Sequence, residues 1–134
     1  MRTNCKIFVL LTLASVCSCS YESRDERLKH EAEAFTATKC PMDVDKCTTI
    51  DSMVFNTDTR ELAYYYTLFG EIDHDSLFTD ELRETFKSNV VNELKGSISL
   101  RQYKEAEVTF VYDYRSKKTG KEYLRIVITP EEYR

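Results

Sequence analysis

The clearest pattern in the chain is an uncharged segment, 62–69, which reads Leu-Ala-Tyr-Tyr-Tyr-Thr-Leu-Phe. Aromatic and β-branched residues favour strands, and the segment has a usual strand length. Side chains two positions apart share one face of a strand, so the even-numbered residues would lie on one face and the odd-numbered residues on the other. Both sets are apolar or aromatic. The segment is therefore predicted to be a central strand that is covered, or nearly covered, on both faces.

Three further segments have the alternation that is typical of strands. Residues 50–55 form the first, and a short polar turn would join it to 62–69 as a hairpin. Residues 107–115 alternate polar with apolar or aromatic side chains. Residues 123–129 follow after a turn in which Gly120 can take a positive φ. The sequence thus predicts a second hairpin near its C-terminal end.

Helical spacing separates the two hairpins. Apolar residues recur every four positions from Phe78 to Leu94, and Lys95 and Gly96 follow as a C-terminal stop, which predicts the main helix. Weaker patterns predict a short helix within 97–106 and a marginal one over 28–35. The predicted fold class is α+β: a small, four-stranded, mostly antiparallel sheet of two hairpins with a main helix and one or two minor helices.

The start of the chain is typical of a secretory signal. Arg2 and Lys6 flank the start of an apolar run, 7–16, that is too short to span a bilayer as a mature helix. The segment Val16-Cys17-Ser18-Cys19 resembles the lipobox of bacterial lipoproteins, which implies acylation of Cys19 with chains such as palmitate, and thereby a membrane anchor. The alternative is ordinary signal cleavage nearby, which would release a secreted protein.

Processing at Cys19 divides the chain into three parts. We predict a signal peptide at 1–18, a lipid-anchored polar spacer with the marginal helix at 19–38, and a single α+β domain at 39–134. The same processing accounts for the cysteines, because only Cys40 and Cys47 remain without a role. In an oxidising compartment this even pair is predicted to form a disulfide.

Candidate catalytic and metal-binding motifs are weak. Asp43 and Asp45 have the spacing of a calcium loop, but Thr48 and Val54 stand where that loop needs glycine and glutamate. The Asp-His-Asp segment 73–75 is interpreted as helix capping, because no nucleophile accompanies it. We predict no metal site, no cofactor and no enzymatic activity. A carboxylate-based envelope hydrolase stays open, because such pairs are assembled in space rather than in sequence.

A resemblance covers about residues 38–130. The segments Pro41-Met42-Asp43-Val44-Asp45, then Thr48 to Ser52, then Tyr64 to Leu68 are similar to a group of small exported bacterial proteins and lipoproteins of unassigned function. That group has a Pro-Met-x-x-Asp-x-x-Thr opening, a Tyr-x-Tyr strand, a helix and a Tyr-x-Tyr hairpin. Here Tyr112-Asp113-Tyr114 occupies the last place. The resemblance implies an α+β domain and no particular activity.

Charge and aromatic content bear on the class of partner. The net charge of −4 argues against nucleic acid as a partner. Nine tyrosines and no tryptophan suit a protein interface or the stacking of sugars, because tyrosine offers a rigid apolar area and a hydroxyl. The candidate partner-binding residues are Tyr65, Tyr103, Tyr112, Tyr114 and Arg115. The alternative is that the tyrosines only pack the sheet.

The sequence therefore predicts an exported, membrane-anchored lipoprotein of the bacterial cell envelope that acts as a non-catalytic binding module. Its partner would be another envelope protein or a glycan. A periplasmic inhibitor or immunity-type protein, which would bind a protease or a toxin, is the main alternative. A purely structural role in the envelope is also open.

Overall fold

The computed structural model describes residues 22–134, so the predicted signal peptide and Cys19 lie outside the described residues. The helices are α1 (Arg24–Lys39), α2 (Asp80–Gly96), α3 (Arg101–Glu105) and α4 (Pro130–Tyr133). The strands are β1 (Met42–Asp43), β2 (Thr48–Asn56), β3 (Glu61–Leu68), β4 (Thr109–Ser116) and β5 (Glu122–Ile128). Two single turns of 3-10 helix, Gly70–Ile72 and Asp75–Leu77, precede α2.

The five strands form one sheet in the order of the sequence, β1-β2-β3-β4-β5. The α+β class and the mostly antiparallel sheet are confirmed, and β2–β3 and β4–β5 are the two predicted hairpins. The count of four strands is wrong, because β1 adds a fifth by pairing Met42 with Ile50 and Asp43 with Thr49. Two residues are too few to give an alternation that sequence analysis can detect.

The two hairpins meet through a parallel pair, in which β3 lies beside β4 and Glu61 faces Thr109. Parallel neighbours need a crossover connection, and α2 and α3 provide it. The segment between the hairpins therefore returns the chain to the edge where β3 began. This pairing makes β3 the middle strand of the sheet.

Helix α1 is part of the core rather than a spacer. Ser23 and Glu26 form a capping box at its start, each side chain bonded to the backbone of the other. Leu28 and Ala32, from the predicted stripe, have no exposed surface. The part of the predicted 19–38 spacer that the structure describes is thus mainly a helix that is packed on β2.

The Asp-His-Asp segment does not cap α2, so that interpretation is wrong. Thr79 is the cap, and its hydroxyl accepts a hydrogen bond from the backbone of Leu82. Asp73 is buried and accepts from the backbone of Lys118 at 3.1 Å, and a hydrogen bond from Ser116 is the main cause of its lowered pKa. Asp75 pairs with Lys121. The segment therefore holds the β4–β5 turn against the 3-10 turns.

The sheet has one helix-covered face and one open face. The core cluster joins the helices to sheet side chains of the helix-covered face only, and those are Ile50, Met53, Phe55, Leu62, Tyr64, Phe110, Tyr112, Leu124, Ile126 and Ile128. The open face carries Asp51, Val54, Ala63, Tyr65, Thr67, Val111, Asp113, Arg115, Arg125 and Val127. No helix covers the open face of β3, but its side chains there are half-buried, so the strand is covered on one face and nearly covered on the other.

Cys40 and Cys47 are free thiols in the structure, so the predicted disulfide is not formed. Cys40 ends α1 and packs against the core, where burial raises the pKa of its thiol. The thiol of Cys47 lies toward Gly70, where an added Cβ would be 3.5 Å from its Sγ. The short spacing in sequence suggested a bridge, but the two side chains pack against different neighbours.

Candidate binding groove

Four tyrosines form a stacked ladder on the helix-covered face. Tyr64 stacks on Tyr112 with ring centroids 5.2 Å apart, and Tyr66 stacks on Tyr114 at 4.5 Å. The parallel register of β3 and β4 places each ring directly beside its partner on the neighbouring strand. Such pairs stabilise the sheet by about 0.2–1 kcal/mol each. The ladder therefore ties together the strands that come from different hairpins.

The structure separates the five predicted binding residues. Tyr65 and Arg115 lie on the open face. Tyr112 is buried in the ladder, and Tyr103 is buried in the core with its hydroxyl directed at the carbonyl of Leu28. Tyr114 is half-buried between the sheet and α2, where its ring meets Phe86 edge-on at 5.3 Å. Tyr103 and Tyr112 are thus not outward. Strand alternation does not reveal this for Tyr112, because it does not report that helices cover that face, and Tyr103 lies in α3 rather than in a strand.

Two adjoining cavities, of about 380 and 300 Å³, follow α2 along the edge of the ladder. We call them together the tyrosine groove. It is lined by Val44, Asp45, Thr48, Tyr66, Leu68, Ile72, Leu77, Phe78, Leu82, Phe86, Asn89, Val90, Glu93, Tyr112, Tyr114 and Leu124. The ladder forms its floor, α2 forms one wall, and the segment between β1 and β2 forms the other. Both cavities share Asp45, Thr48, Phe86 and Tyr114.

The rim of the tyrosine groove is apolar and exposed. Val44 is 55% exposed on the β1–β2 side, and Leu77 and Leu82 are 46% and 39% exposed at the other end. Single exposed apolar residues are normal, but these three border the same concave surface. Together with the aromatic floor, they form a surface that gains free energy when another apolar surface covers it.

Polar side chains in the tyrosine groove carry hydroxyls, carboxylates and the carboxamide of Asn89. Burial raises the pKa of Tyr66 to about 12, and the pKa of Tyr114 is raised for the same reason. The carboxylate of Glu93 adds to both shifts, and that of Asp45 adds to the shift of Tyr114. The tyrosines therefore keep their hydroxyl protons at neutral pH and can donate hydrogen bonds. No basic side chain is among the described residues that line the groove.

Sequence analysis missed the most buried charge of the open face. Asp113 has no exposed surface, and its carboxylate accepts two hydrogen bonds from Arg115, at 2.7 and 3.0 Å, and one from Arg125 at 3.1 Å. These bonds raise the pKa of Arg115. The alternation of β4 marks Asp113 as facing away from the core, and only the pairing of β4 with β5 brings Arg125 beside it.

A second concave region lies on the open face, with a volume of about 560 Å³. Asp43 and Asp51 line it, and they accept hydrogen bonds from Thr49 at 3.2 Å and Thr67 at 2.6 Å. Lys117 lies over the ring of Phe69 at its border. The carboxylates of this region are thus hydrogen-bonded to hydroxyls on adjacent strands, which orders the surface of the sheet.

Residues 22–134 contain no group of three or more His, Cys, Asp or Glu side chains that could hold a metal ion. Within the same residues, none of the helices combines the length and apolarity needed to cross a bilayer.

Sequence comparison finds one family. A family profile described as a domain of unknown function (DUF8479) matches residues 23–124, which include α1 to α3 and most of the sheet. No curated protein matches the sequence.

Solved structures of low sequence identity share the fold. A candidate secreted protein of Pseudomonas aeruginosa has a TM-score of 0.62 at 12% identity, over 83% of this chain and 96% of the other. The pilotin EpsS of the Vibrio vulnificus type 2 secretion system has a TM-score of 0.60 at 10% identity, over 83% and 92%. The type II secretion pilotin AspS of Vibrio cholerae has a TM-score of 0.53 at 12% identity, over 81% and 94%. At these identities the likeness shows the fold alone.

Proposed function

Because this chain belongs to the family described as a domain of unknown function (DUF8479), we propose its function from its geometry: it is a non-catalytic binding module of the cell envelope. The tyrosine groove holds a segment of another envelope protein. The observation that carries the proposal is the coincidence of an aromatic floor, tyrosine hydroxyls and an exposed apolar rim in one concave surface.

The backbone of the groove floor favours a helix as the bound segment. Strands β3 and β4 are each paired on both sides, so the floor offers no free ladder groups to an extended peptide. A helix satisfies its own backbone and needs only a partner for its apolar face. The wall from Leu82 to Glu93 follows α2 for roughly 17 Å, which would accommodate about three turns of a helix.

The negative charges of the groove indicate which residues lie beside the apolar face of the bound helix. Asp45 and Glu93 lie near the tyrosine hydroxyls, and no basic side chain lines the groove among the described residues. A lysine or arginine beside the apolar stripe of the partner would therefore be favoured, with its stem over an aromatic ring and its head at a carboxylate. The partner segment is thus an amphipathic helix with a basic border.

The shared fold supports binding rather than catalysis. Two of the structures with this fold are pilotins of type II secretion systems, so the fold is used by components of envelope secretion machinery. We propose no reaction for this chain. An inhibitor or immunity-type role would use the same groove, and it differs only in the identity of the partner, which would then be a secreted enzyme or toxin.

The test is site-specific photocrosslinking of the full-length chain in cells. A photoreactive residue in place of Leu82 is expected to give a crosslink to one protein. A synthetic peptide with the sequence of that protein's bound helix is expected to compete for the groove and reduce the crosslink. The matched control is Ile98, which is 85% exposed and outside the tyrosine groove. Products from both positions, or none from position 82 in a folded chain, would contradict the proposal. Saturable binding of a glycan without a protein crosslink would favour the glycan alternative.

A further inference from the structure

The open face of the sheet contains an apolar row that crosses four strands. Val54, Ala63, Val111 and Val127 are directly opposite one another on β2, β3, β4 and β5. Val54 and Val127 at the ends of the row are 48% and 39% exposed. Val111 is almost completely buried by its neighbours. The row is therefore apolar on all four strands, and most of its exposed surface lies at its two ends, on the face that lacks helices.

A charged row runs beside it and changes sign across the sheet. Asp51 lies on the β2 side, and Arg125 lies on the β5 side. Between them Asp113 accepts hydrogen bonds from Arg115 and Arg125, and Arg115 also pairs with Glu122 at 3.7 Å. The two arginines and two carboxylates of β4 and β5 thus balance, and the row has a carboxylate, Asp51, near its β2 end and a guanidinium, Arg125, at its β5 end.

We propose that the open face is the contact between two copies of this chain. The twofold axis lies in the plane between the two sheets, runs parallel to the strands and passes over the line between β3 and β4. Rotation about it sets β2 of one copy over β5 of the second, and β3 over β4. The two apolar rows then coincide, with Val54 of one copy over Val127 of the second and Ala63 over Val111. The same operation sets Asp51 over Arg125. A twofold interface must be complementary to itself, and this face is so in its apolar row and in the two symmetric pairs of Asp51 with Arg125.

The area sets the strength of the contact. Four strands of about 25 Å at about 4.8 Å spacing give roughly 500 Å² on each copy, and so about 1,000 Å² in total. That value is at the lower end of specific interfaces, so the dimer is weak and depends on protein concentration. Sheets packed face to face lie about 10 Å apart, which gives room for the valine and alanine side chains of the central row.

The tyrosine groove lies on the other face and stays open in this dimer, so the inference does not depend on the proposed function. A dimer would present two grooves, one on each outer surface. A partner segment bound in one groove would then not compete with the contact between copies.

Cysteine pairs test the symmetry directly. Full-length chains with different tags, one carrying Val54→Cys and the other Val127→Cys, are co-expressed and treated with a short bifunctional maleimide. The proposed axis places position 54 beside position 127 of the second copy and far from position 54 of that copy. We expect the mixed dimer to be several-fold more abundant than the dimers that either variant gives alone.

Three controls make the result decisive. The unmodified chain gives the background from its own cysteines, and Ile98→Cys with Val127→Cys gives the rate of random encounters. Monofunctional maleimide labelling of each single variant shows that its new thiol is exposed in a folded chain. If both thiols are labelled but the mixed dimer does not exceed these controls, the proposed dimer is wrong.

Discussion

The tyrosines of β3 and β4 differ in role according to the face on which their side chains lie. Tyr64 and Tyr112 are buried in the ladder, whereas Tyr66 and Tyr114 continue it to the tyrosine groove. Tyr65 lies on the open face between them in sequence. Burial raises the pKa of all four ladder tyrosines, because the charged phenolate would lose its hydration.

We expect the ladder to make stability fall in alkaline solution. The pKa of Tyr66 rises from 10.0 to about 12 on folding, so the unfolded chain loses that proton first. The contribution is fully present below pH 10 and is lost as pH rises from 10 to about 12. Between pH 10 and about 12, the free energy of unfolding of Tyr66→Phe should therefore fall by about 1–2 kcal/mol less than that of the parent chain. Denaturant unfolding at several pH values checks this, and equal losses would contradict it.

Residue-level sequence analysis could identify the site in part only. It could select Tyr114, because alternation in a strand reports which residues share a face. The same alternation leaves Tyr112 as an outward candidate, because it does not report whether a helix covers that face. Tyr103 lies in helix α3, so no strand pattern bears on it. Asp45 and Glu93 could not be selected, since they reach the tyrosine groove only through the β1–β2 segment and the packing of α2.

Helix α1 protects the exposed edge of β2. Beyond β1, the edge of β2 would present free backbone groups, which favour aggregation when they are unpaired. The hydroxyl of Thr36 accepts a hydrogen bond from the backbone N–H of Met53 and donates one to its carbonyl, both at 2.8 Å. One side chain on α1 thus replaces a missing strand at this position.

Replacing Thr36 by valine should destabilise the protein by about 1–3 kcal/mol, because valine has nearly the same shape but leaves both backbone groups of Met53 unpaired. The measurement is the free energy of unfolding in urea. Thr38→Val is the matched control, since Thr38 is an exposed position of the same helix and its hydroxyl bonds to the carbonyl of Ala34 within that helix. A similar loss in both variants would mean that β-branching, rather than the edge contact, is responsible.

Elements with long periodic patterns could be predicted, whereas their partners could not. Helix α2 and the strands β2 to β5 follow from periodicity within single segments. The parallel pairing of β3 with β4 depends on how the crossover returns the chain, and no local pattern carries that information. The role of Asp73 at the β4–β5 turn is missed for the same reason, because Lys118 is distant in sequence.

The molecule as a whole has two different broad surfaces. One face of the sheet is covered by four helices and contains the tyrosine groove, and the other is open and carries the charged and apolar rows. Helix α1 begins at Arg24, five residues after the proposed lipidation site in the sequence. A chain that is anchored there could present either surface to proteins of the same membrane.

The lipid anchor itself can be tested by intact mass. We expect the protein extracted from membranes to begin at Cys19 and to carry the added mass of a diacylglyceryl group, since the Val16 to Cys19 segment resembles a lipobox. Cys19→Ser should abolish that added mass and release the chain from the membrane fraction. Membrane extraction of a species that begins elsewhere and lacks lipid would contradict the anchor.

The parallel junction between the hairpins also bears on the order in which the chain folds. Each hairpin is formed by neighbouring segments and can close within microseconds, whereas the β3–β4 ladder must bring Glu61 to Thr109 across the whole crossover. That long closure loses chain entropy before the tyrosine rings can stack. The stacking of Tyr66 on Tyr114 is therefore expected to form late, when the two halves of the chain finally join, and the same contact would open early when they separate.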